Sequence, residues 1–393
     1  MEINMDVLRP YGGIYTAHLA QVALLRTGKP MRSAEIKDAI RSVVDISLFY
    51  LRQQLRHHSS FVFIKRRWEL QWRSEAMHTP LEGTVSNIFL QWGQPVTVDE
   101  LTKWIAPARD ELPDRLAEPI AHILETRTQA FWRVDDMHYG STAWLLDLSG
   151  GSEEDVIADN FFGEEERIVE LLKRVDELRL NWEAPLSIIC RELLDKLGQP
   201  LSHHEITLIC WRGRHRELSP HEFLPQLFAD ARLLVVAPGY WCTPTLIERL
   251  RQVVLEESKM LDTAIAEAST DVDKMLKRAV VLSRRRKPPQ PLQLTSDDWN
   301  ELEQWLRSQG EPVHIERILT EMLELDPIDE QYVPTLHQVW EKLHQDKRLT
   351  CVGNHKWLPV DAIPEWVHTT PQALIPQPPL PPPEDLEASM SDL

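Results

Sequence analysis

"GQPVTVDELTKWI", residues Gly93–Ile105, decides the fold because the chain writes nearly the same phrase again as "GQPLSHHEITLIC", Gly198–Cys210. Looser copies are "GKPMRSAEI" from Gly28 and "GEPVHIERI" from Gly310, so four copies are present. Each has Gly-x-Pro, then Met, Val or Leu, then Ile or Leu five residues further on. An apolar-periodic segment precedes each glycine, for example "LSIICRELLDKLG", which predicts an amphipathic helix. Glycine takes the left-handed position that closes a helix and proline cannot continue one, so Gly-x-Pro is a stop signal. A second helix follows at once. Thr97 with Glu100, and Ser202 with Glu205, have the S/T-x-x-E spacing of a capping box, whereas Arg32 and His314 stand at that position in the other two copies.

Each copy also closes alike. The stretches "FVFIKRRWEL", "FWRVDDMHYGSTAWLLDL", "RLLVVAPGYWCTP" and "RLTCVGNHKWLPV" are β-rich, turn tightly and carry Trp68, Trp144, Trp241 and Trp357. Apolar strand, polar turn and Trp-bearing strand predict a hairpin. The unit is helix, short strand, helix, helix, hairpin, which is a helix-turn-helix with a wing. The expected fold class is mostly α with small β-hairpin wings (α+β), built as four tandem winged-helix units joined by helical linkers. The expected boundaries are 1–75 (unit 1, basic), 80–150 (unit 2, acidic), 151–180 (acidic turn and helical linker), 181–245 (unit 3), 246–294 (helical linker with a basic end), 295–365 (unit 4) and 366–393 (Pro-rich acidic tail).

These residues carry a resemblance. Gly-x-Pro-apolar, Glu-Ile/Leu and a closing Phe-x-x-apolar that ends in Trp-x-Leu resemble the HARE-HTH type of winged helix, found at the N-terminus of the bacterial RNA polymerase delta subunit and in chromatin-linked and restriction-associated proteins. The first copy, closing with Phe61 to Leu70, is most similar. The third has Tyr240-Trp241-Cys242 in place of Trp-x-Leu. The resemblance implies contact with DNA or transcription machinery; it does not imply an enzymatic activity.

Composition bounds the rest. The 393 residues suggest about two to three domains. The four cysteines, Cys190, Cys210, Cys242 and Cys351, form no CxxC pair. A disulfide framework would be sparse, so a reducing compartment is expected. No apolar run approaches the about 20 residues of a membrane span, and the N-terminus lacks a secretory pattern. A soluble intracellular protein is expected, cytoplasmic at the nucleoid in a prokaryote and nuclear in a eukaryote.

The net charge of −18 opposes wholesale binding to a polyanion. From Arg26 to Arg73, however, eleven Lys/Arg face four Asp/Glu, a net of +7. In this unit the helix before the hairpin reads "ISLFYLRQQLRHH", with Leu48, Leu51 and Leu55 as its inner stripe. That stripe turns Tyr50, Arg52, Gln53, Arg56 and His57 outward. Arg and Gln pair with guanine and adenine edges in the major groove. Lys65, Arg66 and Arg67 in the wing turn, with Lys29 and Arg32 at the second helix's start, suit phosphates. These ten residues are the expected contacts to double-stranded DNA. The bland alternative is a solvated basic face.

The other units do not repeat the pattern. The second carries Asp114, Glu118 and Glu125 on the equivalent helix and Asp135 and Asp136 in its turn. The third pairs a basic "WRGRHRE" turn with Glu222 and Asp230, and the fourth mixes Lys342, Lys347 and Arg348 with Glu341 and Asp346. Units two to four are expected to bind each other or a protein partner, such as transcription machinery; the Pro-rich tail reads as a solubilising segment, with a ligand for that partner as the sharper alternative. The rival reading is a protein–protein adaptor that does not touch DNA.

Other chemistry finds no pattern. Cys190, His203, His204, Cys210 and His215 lack zinc-ligand spacing. Glu153–Asp155 with Glu164–Glu166 reads as a solvated loop rather than a magnesium site. No GxxxxGK[ST], GxGxxG or GxSxG sequence is present. No catalytic residue, metal or cofactor is expected. Core packing accounts for nearly all of the fourteen Trps, rather than a single-strand stacking platform. From Thr245 to Lys287 the apolar positions lack the companion set of a coiled coil, so two amphipathic helices broken near Ser269–Asp271 are expected. "RRRK" at Arg284–Lys287 reads as a basic linker, with nuclear import as the sharper alternative.

Overall fold

The computed structural model describes residues 5–215, 217–268, 272–283 and 289–363. The chain is mostly helical, with antiparallel sheets of two or three strands, an α+β protein. It divides into two compact units. One holds residues up to Met31 and Glu35–Lys259; the other takes Arg32–Ala34 and the chain from Met260.

One element order recurs four times. The first repeat runs α1 (Arg9–Thr27), α2 (Ser33–Ile40), α3 (Leu48–His57), β1 (Phe61–Ile64) and β2 (Arg67–Leu70), with a short α4 (Gln71–Glu75) behind it. The second is α5 (Leu81–Trp92), β3 (Val96–Thr97), α6 (Val98–Arg109), α7 (Pro113–Thr126), β4 (Phe131–Arg133) and β5 (His138–Ser141). Helices α8 (Glu153–Asn160) and α9 (Glu165–Asp176) follow. The third is α10 (Leu186–Leu197), β6 (Leu201–Ser202), α11 (His203–Gly213), α12 (Pro220–Phe228), β7 (Leu234–Ala237) and β8 (Tyr240–Cys242). Two longer helices, α13 (Pro244–Ala268) and α14 (Val272–Ser283), lead to the fourth. That one is α15 (Ser296–Gln309), β9 (Val313–His314), α16 (Ile315–Arg317), α17 (Tyr332–Gln345), β10 (Leu349–Cys351) and β11 (Lys356–Pro359).

The local causes are those the repeat spells. α1, α5, α10 and α15 each end at the glycine of Gly-x-Pro, and Gly28, Gly93, Gly198 and Gly310 have φ of 68°, 67°, 68° and 67°. In the first three the glycine N–H caps the carbonyl four residues back, on Leu24, Phe89 and Leu194. Both expected capping boxes form: Thr97 and Ser202 accept from the N–H of Glu100 and Glu205, whose carboxylates accept from the cap residues' own N–H. The residue after proline pairs with the hairpin's second strand, giving the orders β3-β5-β4, β6-β8-β7 and β10-β11-β9.

Two departures stand out. In the first repeat the third strand shrinks to a single bridge, Met31 with Trp68, leaving a two-stranded hairpin. In the fourth, the second helix is α-helical only over Ile315–Arg317 and then widens into a π-helical turn, Ile318–Met322, with Leu323 N–H donating to the Ile318 carbonyl at 3.0 Å.

In the first, third and fourth repeats the apolar face closes on a hairpin tryptophan: Trp68, Trp241 and Trp357 are buried opposite Met31, Leu201 and Val313. The second repeat corrects the expectation. Tyr139 holds that register position, opposite Val96, and the buried Trp144 lies three residues past β5, in a 3-10 turn over Thr142–Trp144. Inside the first compact unit the repeats interlock. His203 at the start of α11 reaches the Gly93 carbonyl with Nε2 at 3.0 Å and accepts the Trp241 indole N–H on Nδ1 at 2.8 Å. The Gln21 amide donates to the Gln91 carbonyl at 3.0 Å. The break expected near Ser269–Asp271, the basic run Arg284–Lys287 and the tail 366–393 lie outside the described residues.

Candidate nucleic-acid interface

α3 leads into the β1–β2 hairpin, and its exposed face is the surface on which base contacts were expected. Ser47 starts the helix by accepting from the Tyr50 N–H at 3.2 Å. Leu51 and Leu55 are buried on the predicted inner face. Gln53, Arg56 and His57 are exposed. The His57 Nδ1 donates to the Gln53 carbonyl at 2.6 Å, which fixes its ring along the helix.

Three expected contacts need correction, because the structure turns them inward. Tyr50 is buried, and its hydroxyl donates to Glu257 Oε2 at 2.9 Å. Burial, then the Glu257 charge, pushes its phenol well above the usual tyrosine range. Arg52 is fully buried, its guanidinium 5.9 Å from the centroid of the Phe49 ring. For Tyr50 the cause is a second packed face: α13 covers the start of α3, and the Ser47 N–H donates to Ser258 Oγ at 2.8 Å. A helix packed on two sides hides residues that a single apolar stripe leaves outside. Arg32 is buried too; it groups with the second compact unit, donates to the Met322 carbonyl at 2.6 Å and pairs with Glu301 at 2.6 Å.

Of the three cations expected in the hairpin turn, Lys65 and Arg66 lie in it and Arg67 is the first residue of β2. β1 and β2 pair in register Phe61–Leu70, Val62–Glu69, Phe63–Trp68 and Ile64–Arg67, so the turn holds Lys65 and Arg66 alone. Both are left-handed, with φ of 48° and 58°. That is the arrangement of a type I′ turn, which ordinarily selects Asn and Gly. Non-glycine residues there cost about 1 kcal/mol or more each. Lys65 is exposed, Arg66 and Arg67 are half-buried, and Arg67 pairs with Glu35 at 3.2 Å. Lys29, just past the α1 cap, is exposed.

Burial also trims the charge. Arg73 and Glu69 form a buried pair at 2.9 Å, and Arg73 donates as well to the Leu24 carbonyl at 3.2 Å. Removing the buried Arg32, Arg52, Arg73 and Glu69 leaves eight cations and three carboxylates at or near the surface between Arg26 and Arg73. The excess is smaller than the sequence alone suggests and keeps its sign.

The second repeat presents the opposite sign. Asp114, Glu118 and Glu125 are exposed on α7, and the hairpin turn is held by Asp135, which accepts from the N–H groups of Met137 and His138 at 2.8 and 2.9 Å. Those backbone bonds, first the one from Met137, keep the Asp135 carboxyl below its usual range, so it stays charged. Among the described residues, no group of three His, Cys, Asp or Glu is placed to hold a metal ion. The Cys190 and Cys210 sulfurs are 3.6 Å apart and fully buried, and burial holds the Cys190 thiol protonated. Among the described residues no helix is long and apolar enough to cross a membrane. No protein-family model, no curated protein and no solved structure matches this chain.

Proposed function

We propose that the four repeats are winged-helix units, and that the chain binds double-stranded DNA through the first while the others make protein contacts in a transcription- or nucleoid-associated assembly. One observation carries the DNA reading: Gln53, Arg56 and His57 lie on the exposed face of the helix that precedes the hairpin, with Lys65 at the hairpin tip. Gln and Arg supply the bidentate donors and acceptors that read base edges, and the hairpin cations meet phosphates. The acidic face of the second repeat repels the same polyanion, which supports assigning that repeat to a protein partner.

A mobility-shift titration of the full chain on duplex DNA, at two salt concentrations, tests this. Binding should fall steeply with salt, and Arg56→Ala with Lys65→Ala should weaken it. No shift at low salt would remove the DNA reading and leave the adaptor.

A further inference from the structure

We infer that the hairpin tip of the first repeat is an apolar wedge that enters the minor groove of duplex DNA and bends it. This rests on the DNA reading above and adds how the duplex is held. The tip carries two large apolar side chains in water: Phe63 is 45% and Ile64 44% exposed. The register puts Phe63 on the same face as Phe61, Trp68 and Leu70, and Ile64 on the opposite face with Val62. The end of the ribbon therefore carries one large apolar side chain on each side, Phe63 beside Trp68 and Ile64 beside Arg67. The Phe63 ring is braced from behind, with its centroid 4.9 Å from that of the buried Trp68.

The turn between the strands adds a second observation. Its left-handed positions are filled by Lys65 and Arg66, at φ of 48° and 58°. The third repeat's hairpin gives its left-handed turn position to Gly239, and the fourth's to Gly353, Asn354 and His355. A turn that only closed the fold would be relieved by Asn-Gly. Strained cations at the apex fit a task outside the fold.

Apolar flanks with a cationic apex fit a groove whose rims are phosphates and whose floor is stacked bases. Inserted apolar side chains unstack a base step and kink the duplex, while cations hold the backbone on either side. An anionic membrane also attracts cations and apolar groups. The duplex is favoured because Gln53, Arg56 and His57 lie exposed on the helix leading into the tip, a face rich in base-reading groups that a bilayer does not use.

The test uses the full chain and an end-labelled duplex of about 30 base pairs with a central TA step, read by energy transfer between its ends. Wild type should bring the ends together. F63A/I64A should bind about tenfold more weakly, with an unchanged salt slope and no bend. K65N/R66G should lower the salt slope by about 2 and keep the bend at saturation. Phe63 and Ile64 are partly exposed, so F63A/I64A should lower Tm by a few degrees and keep one cooperative unfolding transition, which separates loss of bending from loss of fold. Bending by F63A/I64A equal to wild type, or binding by wild type without bending, overturns the wedge and leaves the DNA reading standing. No binding to the duplex at low salt overturns both. Binding to phosphatidylserine vesicles that is lost in F63A/I64A, without bending of DNA, assigns the tip to a membrane and overturns the inference.

Discussion

Lowering the pH from 7 to 5 should destabilise the first compact unit, and His203 is a principal cause. The Trp241 indole nitrogen only donates, so His203 Nδ1, 2.8 Å away, must be unprotonated. The ring's single proton therefore sits on Nε2 and is donated to the Gly93 carbonyl at 3.0 Å. Burial, with a smaller push from His204, drives the His203 pKa down to about 3, against the Gly93 bond, which raises it. In the unfolded chain the group titrates near 6.5. A depressed folded-state pKa gives stability that is complete above the unfolded pKa and is lost as pH falls from 6.5 toward 3. At pH 5 the unfolded chain gains about 2 kcal/mol from protonating this one imidazole, and the fold gains almost nothing. His203→Gln removes that titration. At pH 7 it should cost about 1–3 kcal/mol through imperfectly replaced hydrogen bonds. Urea unfolding of both proteins at pH 7 and pH 5 reads the effect: wild type should lose about 2 kcal/mol more than H203Q between the two. Equal losses would mean that the ring is hydrated or charged in the fold, and the bridge between the second and third repeats would not exist as described.

Other expectations follow from the same geometry. Gly93→Ala places a Cβ 2.1 Å from the Gly239 nitrogen and 2.7 Å from the Pro238 backbone, whereas Gly28 has nothing within 4 Å of that position. G93A should cost about 3–5 kcal/mol and G28A about 1 kcal/mol in chemical denaturation, although both residues are left-handed. K65N/R66G relieves the turn and should raise stability by about 1–2 kcal/mol, seen as a higher Tm. Tyr50→Phe should destabilise by about 1 kcal/mol through loss of the bond to Glu257, yet leave DNA affinity within about twofold; a large loss of affinity would place Tyr50 at the interface after all.

Much of this was legible because the repeat is spelled by residues with narrow backbone options. Gly28, Gly93, Gly198 and Gly310 adopt one conformation, the Thr97 and Ser202 caps form, and Trp68, Trp241 and Trp357 are buried on their hairpins, whereas Trp144 falls past its hairpin and Tyr139 stands in its place. Each of these is a local decision, and local decisions survive in sequence. The misreadings are long-range. Periodicity along α3 reports the stripe of Leu51 and Leu55 and says nothing of α13, some two hundred residues on, whose Glu257 and Ser258 cover Tyr50 and Ser47. In the sequence Arg52 and Arg32 look like surface cations, because a charged residue gives no sign that the fold will bury it. Nor did the first repeat's missing third strand show, since "GKPMRSAEI" carries the same punctuation as the copies that form one. The hairpin tip was half legible: Phe63 and Ile64 read as strand residues, and only the register and their exposure set them at its end.

The most direct measurement of the central claim is the salt dependence of full-chain binding to duplex DNA, compared with R56A/K65A. The account predicts a log–log slope of several units for wild type that falls by about 1 in the variant, through the loss of the Lys65 phosphate contact. A flat slope, or one the two substitutions leave unchanged, would contradict a polyanion seated on the first repeat.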